Sequence, residues 1–592
     1  MAVFVMTPRL RIRRRRSSSR HVKIKTSYNP VSLGSLVTTI LLAVILMIGP
    51  LVLGATRLWV ELPLLVAVAF LLMIQGMRLI APPAEGTHRR ADAIDLTVAL
   101  FVLYAVVRWL TSPAEYFSRV EVMEIVAYAG VFLTCRHGMA NRRFCMALLY
   151  LLVVLGVGET AFGYYLSNHP DSFPFGWGEK LQFHYAPRWL GTYESPNHYA
   201  NLLVMAIGAG LSVGSFSKLP WTVRIIFIYL ALMMIVGLLF SKARGSWVAL
   251  EGAICGLVLM GIRNGTARSW VPMTAGAVLI VLSAVVFSLS PLVQNRPINS
   301  PNELFGGMPD LGSRVLQAQD ALGVAKAHPL FGTGPGTSVF TDPSARKDEN
   351  SPAPAPIHDD YLNCLDDYGL IGFALAMFFI AAVTFQFFRP LWLDNRWQDR
   401  VLVATGFSVW LALLLHSLCD FNLHVPANAL LFFSLIGLGL GRLKEEKARR
   451  WSTLSLNPLG RWLGMGVILL SLVYGFLAAR TALSENMYEK VLAYENEVPF
   501  SESITSAEQA LAYDRGNAPD LVLLGDLHRA EASLQKTSSD RLSQGMLALQ
   551  CYKQALEANG LDEAVRARVA ATLDFLQKNS DPHQTDEAAP PR

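Results

Sequence analysis

The chain has 592 residues, of which 52% are hydrophobic and only 16% are charged, and its mean hydropathy is +0.36. This composition excludes an ordinary soluble globular protein, which would expose far more charged side chains at this length. The net charge of +6 does not indicate a nucleic-acid partner, because nine Lys and Arg residues lie within the first 25 residues, before the first apolar run. A basic segment in that place favours a cytoplasmic N-terminus and contact with anionic membrane lipid.

Apolar runs recur along the chain, and most approach or exceed the roughly 18–20 residues that cross ~30 Å of hydrocarbon. They are Leu36–Ala55, Pro63–Ile80, Ile94–Leu110, Val122–Cys135, Phe144–Leu166, His198–Phe216, Ile225–Phe240, Ser246–Ile262, Val271–Leu289, Leu370–Phe388, Val401–Cys419, Ala427–Leu440 and Leu463–Ala479. These runs predict an all-α polytopic membrane protein with about 12–13 transmembrane helices. Connections that this count assigns to the cytoplasm are richer in Lys and Arg, and the count puts the C-terminal region on the extracytoplasmic side.

Charge and hydropathy divide the chain into four parts. In order, these are a basic cytoplasmic segment (1–35), a transmembrane domain (36–481) with extracytoplasmic loops 167–196 and 291–367, a helical region (482–578) and a disordered tail (579–592). The first loop is rich in aromatic residues, which stack on sugars or anchor at the membrane interface. The second loop is far longer than an ordinary connection, and such loops are usually functional or disordered.

The second loop contains predicted local structure. Leu311–Ala327 has the spacing of an amphipathic helix. Gly332–Gly336 predicts a structural turn rather than a P-loop, because the Lys-Ser/Thr ending is missing. A helix is predicted to begin near His358 and to run into the span that ends at Phe388, so its first two turns project beyond the bilayer.

The helical region consists of predicted amphipathic helices. They are Ala482–Tyr494, Ser503–Tyr513, Leu521–Leu534 and Leu542–Asn559. Fragments such as Tyr-Glu-Lys-Val-Leu from residue 488 resemble tetratricopeptide (TPR) helices, which stack as helical hairpins and usually bind a partner protein. The alternative is a helical cap without a partner.

Three residues near the extracytoplasmic face are candidates for chemistry. Arg244 lies in a short turn on that face, against the positive-inside bias, and a planar guanidinium suits phosphate oxygens, although snorkelling to lipid headgroups is the alternative. Arg314 lies at the start of the loop helix and alone would be an ordinary solvated arginine. His358 is a candidate general base beside Asp359 and Asp360, although the helix dipole also favours carboxylates at a helix start.

Other polar residues on this face have simpler interpretations. His416, Asp420, Asn422 and His424 surround the next extracytoplasmic turn, but their spacing matches no standard metal site, so we predict a hydrogen-bonded turn. Asn197 is predicted to cap a helix. The six cysteines have no CxxC spacing and mostly lie in or beside spans, so neither a disulfide framework nor a zinc site is predicted.

Several of these segments, in this order, resemble the O-antigen ligase/polymerase family. They are Gly-Thr-Tyr-Glu-Ser-Pro-Asn-His from Gly191, Ala-Arg-Gly-Ser-Trp around Arg244, Gly-Ser-Arg ending at Arg314, His-Pro-Leu-Phe-Gly-Thr-Gly-Pro-Gly from His328, His-Asp-Asp-Tyr-Leu from His358, Tyr-Gly-Leu-Ile-Gly from Tyr368, and His416–Pro426. The resemblance covers residues 185–440. The additional last span and the TPR-like region depart from the family, which leaves the acceptor open.

The resemblance implies a membrane glycosyltransferase of the GT-C type in a bacterial inner membrane, with the large loop and the C-terminal region in the periplasm. It implies transfer of an undecaprenyl-diphosphate-linked glycan, with no cofactor or metal, to lipid A-core, to another glycan or to protein. The family's two arginines and its histidine fall on Arg244, Arg314 and His358. The arginines would hold the diphosphate, and the histidine would orient or deprotonate the acceptor hydroxyl. Further substrate contacts are predicted for Arg188, Lys242, Asn197, Asp359, Asp360 and Tyr361.

Two functions of other classes stay open. A transporter or lipid-glycan flippase needs ionisable groups in mid-membrane, for which Glu159 and Glu251 are the candidates, but the sequence shows no repeated halves. A scaffold recruited through its C-terminal region would depend on residues 482–592 rather than on His358.

Overall fold

The structure is a computed structural model that describes residues 33–82, 90–169, 172, 188–263, 309–341, 357–388, 396–443, 454–456, 459–493 and 499–580. Several sequence predictions lie outside these residues. They are the basic N-terminal segment, the span Val271–Leu289, most of the aromatic loop 167–196 and the disordered tail beyond Ser580.

The described chain is almost entirely α-helical. Its helices are α1 (Leu33–Leu51), α2 (Leu58–Ile80), α3 (Ala93–Leu110), α4 (Glu115–Leu133, continued by the π-helical Thr134–Gly138), α5 (Arg142–Asn168), α6 (Pro196–Phe216), α7 (Trp221–Ser241), α8 (Arg244–Arg263), α9 (Pro309–Ala327), α10 (Ser338–Thr341), α11 (Asp360–Phe388), α12 (Trp397–His416), α13 (Pro426–Leu440), α14 (Gly460–Ala493), α15 (Phe500–Tyr513), α16 (Ala518–Leu534), α17 (Ser538–Ala558) and α18 (Glu563–Ser580). Two short strands, Arg90–Ala91 and Leu454–Ser455, pair antiparallel.

Ten of the described helices are long and apolar enough to cross a membrane, namely α1–α3, α5–α8, α11, α12 and α14. The apolar α13 is shorter, at 15 residues. Every predicted span that the structure describes falls on a helix. The prediction of an all-α polytopic membrane protein is therefore confirmed, while the number of spans in the whole chain stays a prediction because Val271–Leu289 is not described.

Small residues let the spanning helices pack closely. Helices α2 and α14 cross at Gly76 and Gly464, where a Cβ on Gly76 would lie 2.9 Å from the Gly464 carbonyl oxygen. Such contacts are typical of membrane helices, which associate by close packing because the surrounding lipid is as apolar as their side chains. Among the ten helices long enough to cross a membrane, α6 is the most enclosed, with 83% of its most apolar stretch buried, so it lies inside the bundle.

The C-terminal helices differ from the prediction at their start. The sequence predicts a separate helix at Ala482–Tyr494, but the structure has one continuous helix, Gly460–Ala493, because no helix-breaking residue separates the last span from the amphipathic segment. Helices α15–α18 then pack successively on one another. The buried Asp514 carboxylate, at the end of α15, pairs with Arg119 of α4 at 2.8 Å and with Arg480 at 2.9 Å. This ion-pair cluster attaches the C-terminal helices to the bundle.

Helix α11 follows its prediction apart from a break at Gly369, whose φ is 63°. A Cβ there would lie 2.5 Å from the Gly332 backbone nitrogen, so a glycine is required for the close approach of the two segments. The first two turns of α11 are therefore packed against the glycine-rich turn of the second loop. The predicted loop helix, Leu311–Ala327, is confirmed as α9, which begins two residues earlier at Pro309.

Candidate functional site

The second loop returns to the bundle at one turn. This turn, residues 417–425, joins α12 to α13 and is called the site turn below. Its Cys419 carbonyl oxygen accepts a hydrogen bond from the Arg314 guanidinium. Its Phe421 ring contacts the His358 ring edge to face, with 5.0 Å between centroids. The site turn therefore brings Arg314 and His358 together, although 43 residues separate them in the sequence.

The segment that carries Arg244 packs on the same turn. Arg244 begins α8, and a Cβ added to Gly245 would lie 2.7 Å from the Cys419 sulfur, so a larger residue would push the two segments apart. One residue further on, the Ser246 hydroxyl lies 3.4 Å from Nε2 of His416, at the end of α12. All three predicted catalytic residues thus belong to segments that meet at the site turn.

Arg314 and several histidines surround the buried Asp420 at the site turn. Within the part of the chain that the structure describes, no carboxylate pairs with Arg314, whose guanidinium is held by a neutral carbonyl oxygen. The buried Asp420 lies beside it. Although burial alone would raise the pKa of Asp420, the positive charges of His198, His416, His358 and Arg314 hold that pKa below its usual value. Arg314 keeps its charge at physiological pH, whereas the histidines are cations only when they are protonated.

His358 lies two residues before α11 and is held by a residue that sequence reasoning did not select. Nδ1 of His358 lies 3.1 Å from Oε1 of Gln317, on α9, and the His358 backbone nitrogen lies 3.4 Å from the same oxygen. Gln317 follows Arg314 by one helical turn, which places both side chains on the same face of α9. That spacing is the only signal in the sequence that points to Gln317.

Asp359 and Tyr361 are held by the start of α11. The Asp359 carboxylate accepts hydrogen bonds from the backbone N–H groups of Tyr361 and Leu362, at 2.9 and 3.0 Å, so Asp359 caps the helix. The Tyr361 hydroxyl donates to the Leu414 carbonyl oxygen at 2.9 Å. Both side chains form hydrogen bonds that stabilise the fold, and their predicted substrate contacts stay predictions.

Asp360 turns inward and is buried. Its carboxylate accepts a hydrogen bond from the Ser417 hydroxyl at 2.7 Å and lies 3.2 Å from Nδ1 of His424. Burial disfavours the charged imidazole, but the Asp360 hydrogen bond and the nearby carboxylates of Glu121 and Asp367 raise the pKa of His424 to about 10. His424 is therefore a cation that pairs with Asp360, and the predicted hydrogen-bonded turn at 416–426 is confirmed.

The Gly191–His198 segment corrects one prediction. The helix cap is Ser195, whose hydroxyl accepts the Asn197 N–H at 3.3 Å, and not Asn197 itself. Pro196 takes the first helical position because it has no N–H to satisfy and its φ already fits a helix. The Asn197 side chain instead accepts a hydrogen bond from Arg188 at 2.8 Å, which joins two predicted substrate contacts.

Lys242 lies close to the same region. It ends α7 in the left-handed conformation, with φ at 53°, and Arg188 donates a hydrogen bond at 2.8 Å to the carbonyl oxygen of the preceding Ser241. Arg188 therefore contacts both Asn197 and the residue before Lys242, and Arg244 follows Lys242 by two residues.

The glycine-rich turn is structural, as its sequence predicts. Gly332, Gly334 and Gly336 all have positive φ values. The buried Asp367 carboxylate accepts hydrogen bonds from the backbone N–H groups that follow this turn, those of Gly336, Thr337 and Ser338. A protein carboxylate thus occupies the position where a P-loop would hold a phosphate, so this turn is not an anion site.

A cavity of about 230 Å³ extends from Asp360 into the bundle. Its walls are mostly apolar, and Glu121, Asp367 and His424 lie among its polar residues. Sequence reasoning did not select Glu121 or Glu124, although Glu124 lies within the predicted span Val122–Cys135 and Glu121 immediately precedes it. The cavity adjoins the site turn, and the carboxyl groups of Glu121, Asp360 and Asp367 line it beside His424.

These features define a polytopic membrane protein in which a long loop and the ends of several spanning helices meet at the site turn. Residues 229–377 match the family model described as O-antigen ligase. The match confirms the resemblance to the O-antigen ligase/polymerase family over that part of the chain, which includes Arg244, Arg314 and His358. Comparison with curated proteins found no match.

Proposed function

We propose that this chain is a membrane glycosyltransferase of the GT-C type, which transfers a glycan from undecaprenyl diphosphate to an acceptor hydroxyl on the periplasmic face of a bacterial inner membrane. The observation that carries the proposal is the meeting of three segments at the site turn. Arg314 donates to the Cys419 carbonyl oxygen, the Arg244 segment packs on the Cys419 sulfur, and His358 packs on Phe421. The match to the O-antigen ligase family model supports the class of reaction.

The two arginines would bind the diphosphate. Negative charge builds on the leaving phosphate oxygen as the bond from the anomeric carbon breaks, and guanidinium groups stabilise that charge through paired hydrogen bonds. Arg314 suits this role because its guanidinium is hydrogen-bonded to a carbonyl oxygen rather than to a carboxylate. Two guanidinium groups supply the charge that a divalent cation supplies elsewhere, so we expect transfer to continue in the presence of a chelator.

His358 would act as the general base. Its imidazole takes the proton from the acceptor hydroxyl while the hydroxyl oxygen forms a bond to the anomeric carbon. The bond from that carbon to the phosphate oxygen breaks, the electron pair leaves with the lipid diphosphate, and the anomeric configuration inverts. Phe421 and Gln317 hold the ring from two sides, which supports a fixed orientation.

The acceptor is either lipid A-core, which makes the chain a ligase, or a growing glycan, which makes it a polymerase. The successive packing of α15–α18 and their attachment through Asp514 suit a docking platform for another export protein. Such a platform favours a polymerase over a ligase. A deletion strain would separate the two, since a polymerase defect leaves single units attached whereas a ligase defect leaves long chains on the lipid carrier.

A transport function has less support. Glu159, one of its two candidate residues, accepts hydrogen bonds from the Thr192 backbone N–H at 2.9 Å and from the Thr192 hydroxyl at 2.7 Å. This carboxylate therefore holds the segment that leads into α6. Glycan flipping without the formation of new glycosidic bonds would favour transport instead.

The test uses the full-length protein in lipid vesicles with a lipid-diphosphate-linked glycan donor and its acceptor. We expect His358→Ala and Arg244→Ala to lower the rate of transfer by about 100-fold or more. His137→Ala is the matched control, because this exposed histidine lies at the opposite end of the bundle beside Asp95. Transfer at the wild-type rate by both site variants would overturn the proposal.

A further inference from the structure

Helix α9 holds two residues of the site from one face. Arg314 and Gln317 are three residues apart, so their side chains leave α9 in the same direction. Arg314 reaches the Cys419 carbonyl oxygen on the site turn, and Gln317 reaches His358 at the start of α11. The face of α9 thus connects the proposed anion-binding residue to the proposed base.

The geometry of the contact between Gln317 and His358 shows which Gln317 atom accepts the hydrogen bonds. An amide side chain presents either oxygen or nitrogen, and the two look alike unless the hydrogen-bond network decides. Here the same Gln317 atom lies 3.4 Å from the His358 backbone nitrogen, which can only donate. That atom must therefore be the amide oxygen.

The assignment fixes the tautomer of His358. Because the Gln317 oxygen is an acceptor, the imidazole nitrogen 3.1 Å away, Nδ1, must carry the proton. In the neutral ring the lone pair then lies on Nε2. The Phe421 ring contacts the imidazole at an angle of 73° between planes, which restricts rotation of the ring away from this arrangement.

We infer that Gln317 is a positioning residue for the proposed transfer reaction, because its amide oxygen holds the Nδ1–H of His358 and so makes Nε2 the nitrogen that takes the acceptor's proton. The inference rests on the proposed function, since it assigns a partner to the proposed base. Gln317 itself touches neither substrate in this scheme. It acts through His358.

The neutrality of Gln317 is part of the inference. A carboxylate at this position would also accept the Nδ1 proton, but its charge would favour the imidazolium, which cannot take a proton. Several charged groups already face His358. They are Asp420 on the site turn and His198 on α6, beside the adjacent Asp359 on its own segment, and Arg314 lies near Asp420. Because these groups include both signs, an amide adds orientation without adding charge.

Two substitutions separate orientation from charge. Gln317→Met removes the acceptor and nearly preserves side-chain length, so we expect kcat to fall by about 10- to 100-fold with little change in the KM for the donor. Gln317→Glu keeps an acceptor, so we expect near-wild-type kcat at high pH. Its acid limb should move upward by about one pH unit, because the added carboxylate raises the pKa of His358.

Gln319 provides the matched controls, since it is exposed on the same helix two residues further on. Gln319→Met should keep the wild-type kcat, and Gln319→Glu should keep the wild-type pH profile, although it introduces the same charge. The measurement is transfer by the full-length protein in vesicles from about pH 5 to about pH 9, a range that brackets an imidazole pKa. Thermal unfolding of each variant verifies that the fold is intact.

The outcomes distinguish this inference from the proposed function. If His358→Ala abolishes transfer while Gln317→Met keeps the wild-type kcat, the base assignment stands and the positioning role of Gln317 is wrong. A Gln317→Glu profile that coincides with that of the wild type contradicts the inference even if Gln317→Met is too unstable to purify. If His358→Ala transfers the glycan at the wild-type rate, the base assignment and the positioning role of Gln317 are both wrong.

Discussion

The two ends of the helix bundle hold their arginines in different ways. At the end where α12 begins, the Arg142 guanidinium forms a paired hydrogen bond with the buried Asp399 carboxylate, at 2.8 and 2.9 Å. Arg136 is likewise paired with Asp92 and Asp95. At the opposite end, Arg314 is held by a backbone carbonyl oxygen.

The difference separates structural arginines from available ones. A guanidinium that is paired with a buried carboxylate is neutralised, and the pair joins two helices. A guanidinium that is held by a neutral oxygen keeps its charge and its remaining N–H donors for another anion. Substitutions at the two ends should therefore affect different properties, namely stability at the Arg142 end and transfer at the site turn.

The largest expected effect concerns Arg314. We predict that Arg314→Met lowers kcat for transfer by about 100- to 1000-fold, because it removes a donor to the charge that develops on the leaving diphosphate. The unfolding midpoint should stay near the wild-type value. The control is Lys326→Met, which removes a charge from an exposed position on the same helix. An equal loss of activity in the control would mean that overall charge, and not the site, decides the rate.

The second prediction tests the opposite end. Arg142→Met should lower the free energy of unfolding by about 3 kcal/mol, because among the described residues it leaves the buried Asp399 carboxylate with the more distant Arg442 as its partner. The rate of transfer per folded molecule should not change. Chemical unfolding in mixed micelles measures the loss, and Arg143→Met, at the exposed neighbouring position, provides the control. Unchanged stability would break the comparison between the two ends.

The third prediction uses pH to sharpen the comparison, because His424 is a cation at the site turn that does have a carboxylate partner. The folded state raises the pKa of His424 to about 10, so its contribution to stability is complete below the ordinary histidine pKa and is lost as pH rises through about 10. The unfolding midpoint of the wild type should therefore fall as the solution becomes alkaline.

A substitution isolates this contribution. His424→Gln should flatten the alkaline part of the profile, while His328→Gln, at an exposed position of the second loop, should leave it unchanged. Thermal unfolding at a series of pH values gives both curves. If the two variants have the same slope as the wild type, the Asp360–His424 pair does not stabilise the site turn.

The smallest expected effect concerns the start of α6. Ser195→Ala should lower the free energy of unfolding by about 1 kcal/mol, the usual contribution of a helix cap. Asn197→Ala should leave the cap intact and remove the Arg188 contact instead. The same unfolding assay distinguishes them. A larger loss of stability for Asn197→Ala than for Ser195→Ala would favour Asn197 as the helix cap, as the sequence predicted.

Much of the fold follows from local sequence. Long apolar runs predict spanning helices because each helix satisfies its own backbone hydrogen bonds in lipid, whatever its neighbours are. Helix α9 and the glycine-rich turn were also predicted from local sequence. The break at Gly369 was missed because it depends on backbone contact with a segment almost 40 residues away. The continuity of α14 was missed although no helix-breaking residue interrupts it.

The residues of the candidate site also fall into those that the sequence predicts and those that only the tertiary structure shows. Arg244 was predicted because it departs from a topological rule, and Arg314 and His358 gained their roles from a resemblance in ordered motifs. Gln317 carries no motif, and its partner is more than 40 residues away along the chain. The inward direction of Asp360 depends on His424, which belongs to yet another segment.

The sequence by itself determined that this protein crosses a membrane many times and which residue types stand near one face, because hydropathy and charge act locally along the chain. Only the tertiary structure decided which cations are neutralised and which keep their charge. That distinction depends on the atom each guanidinium meets, a carboxylate for Arg142 and a carbonyl oxygen for Arg314. Such partners come from distant segments, so their identity becomes visible only once the helices are packed.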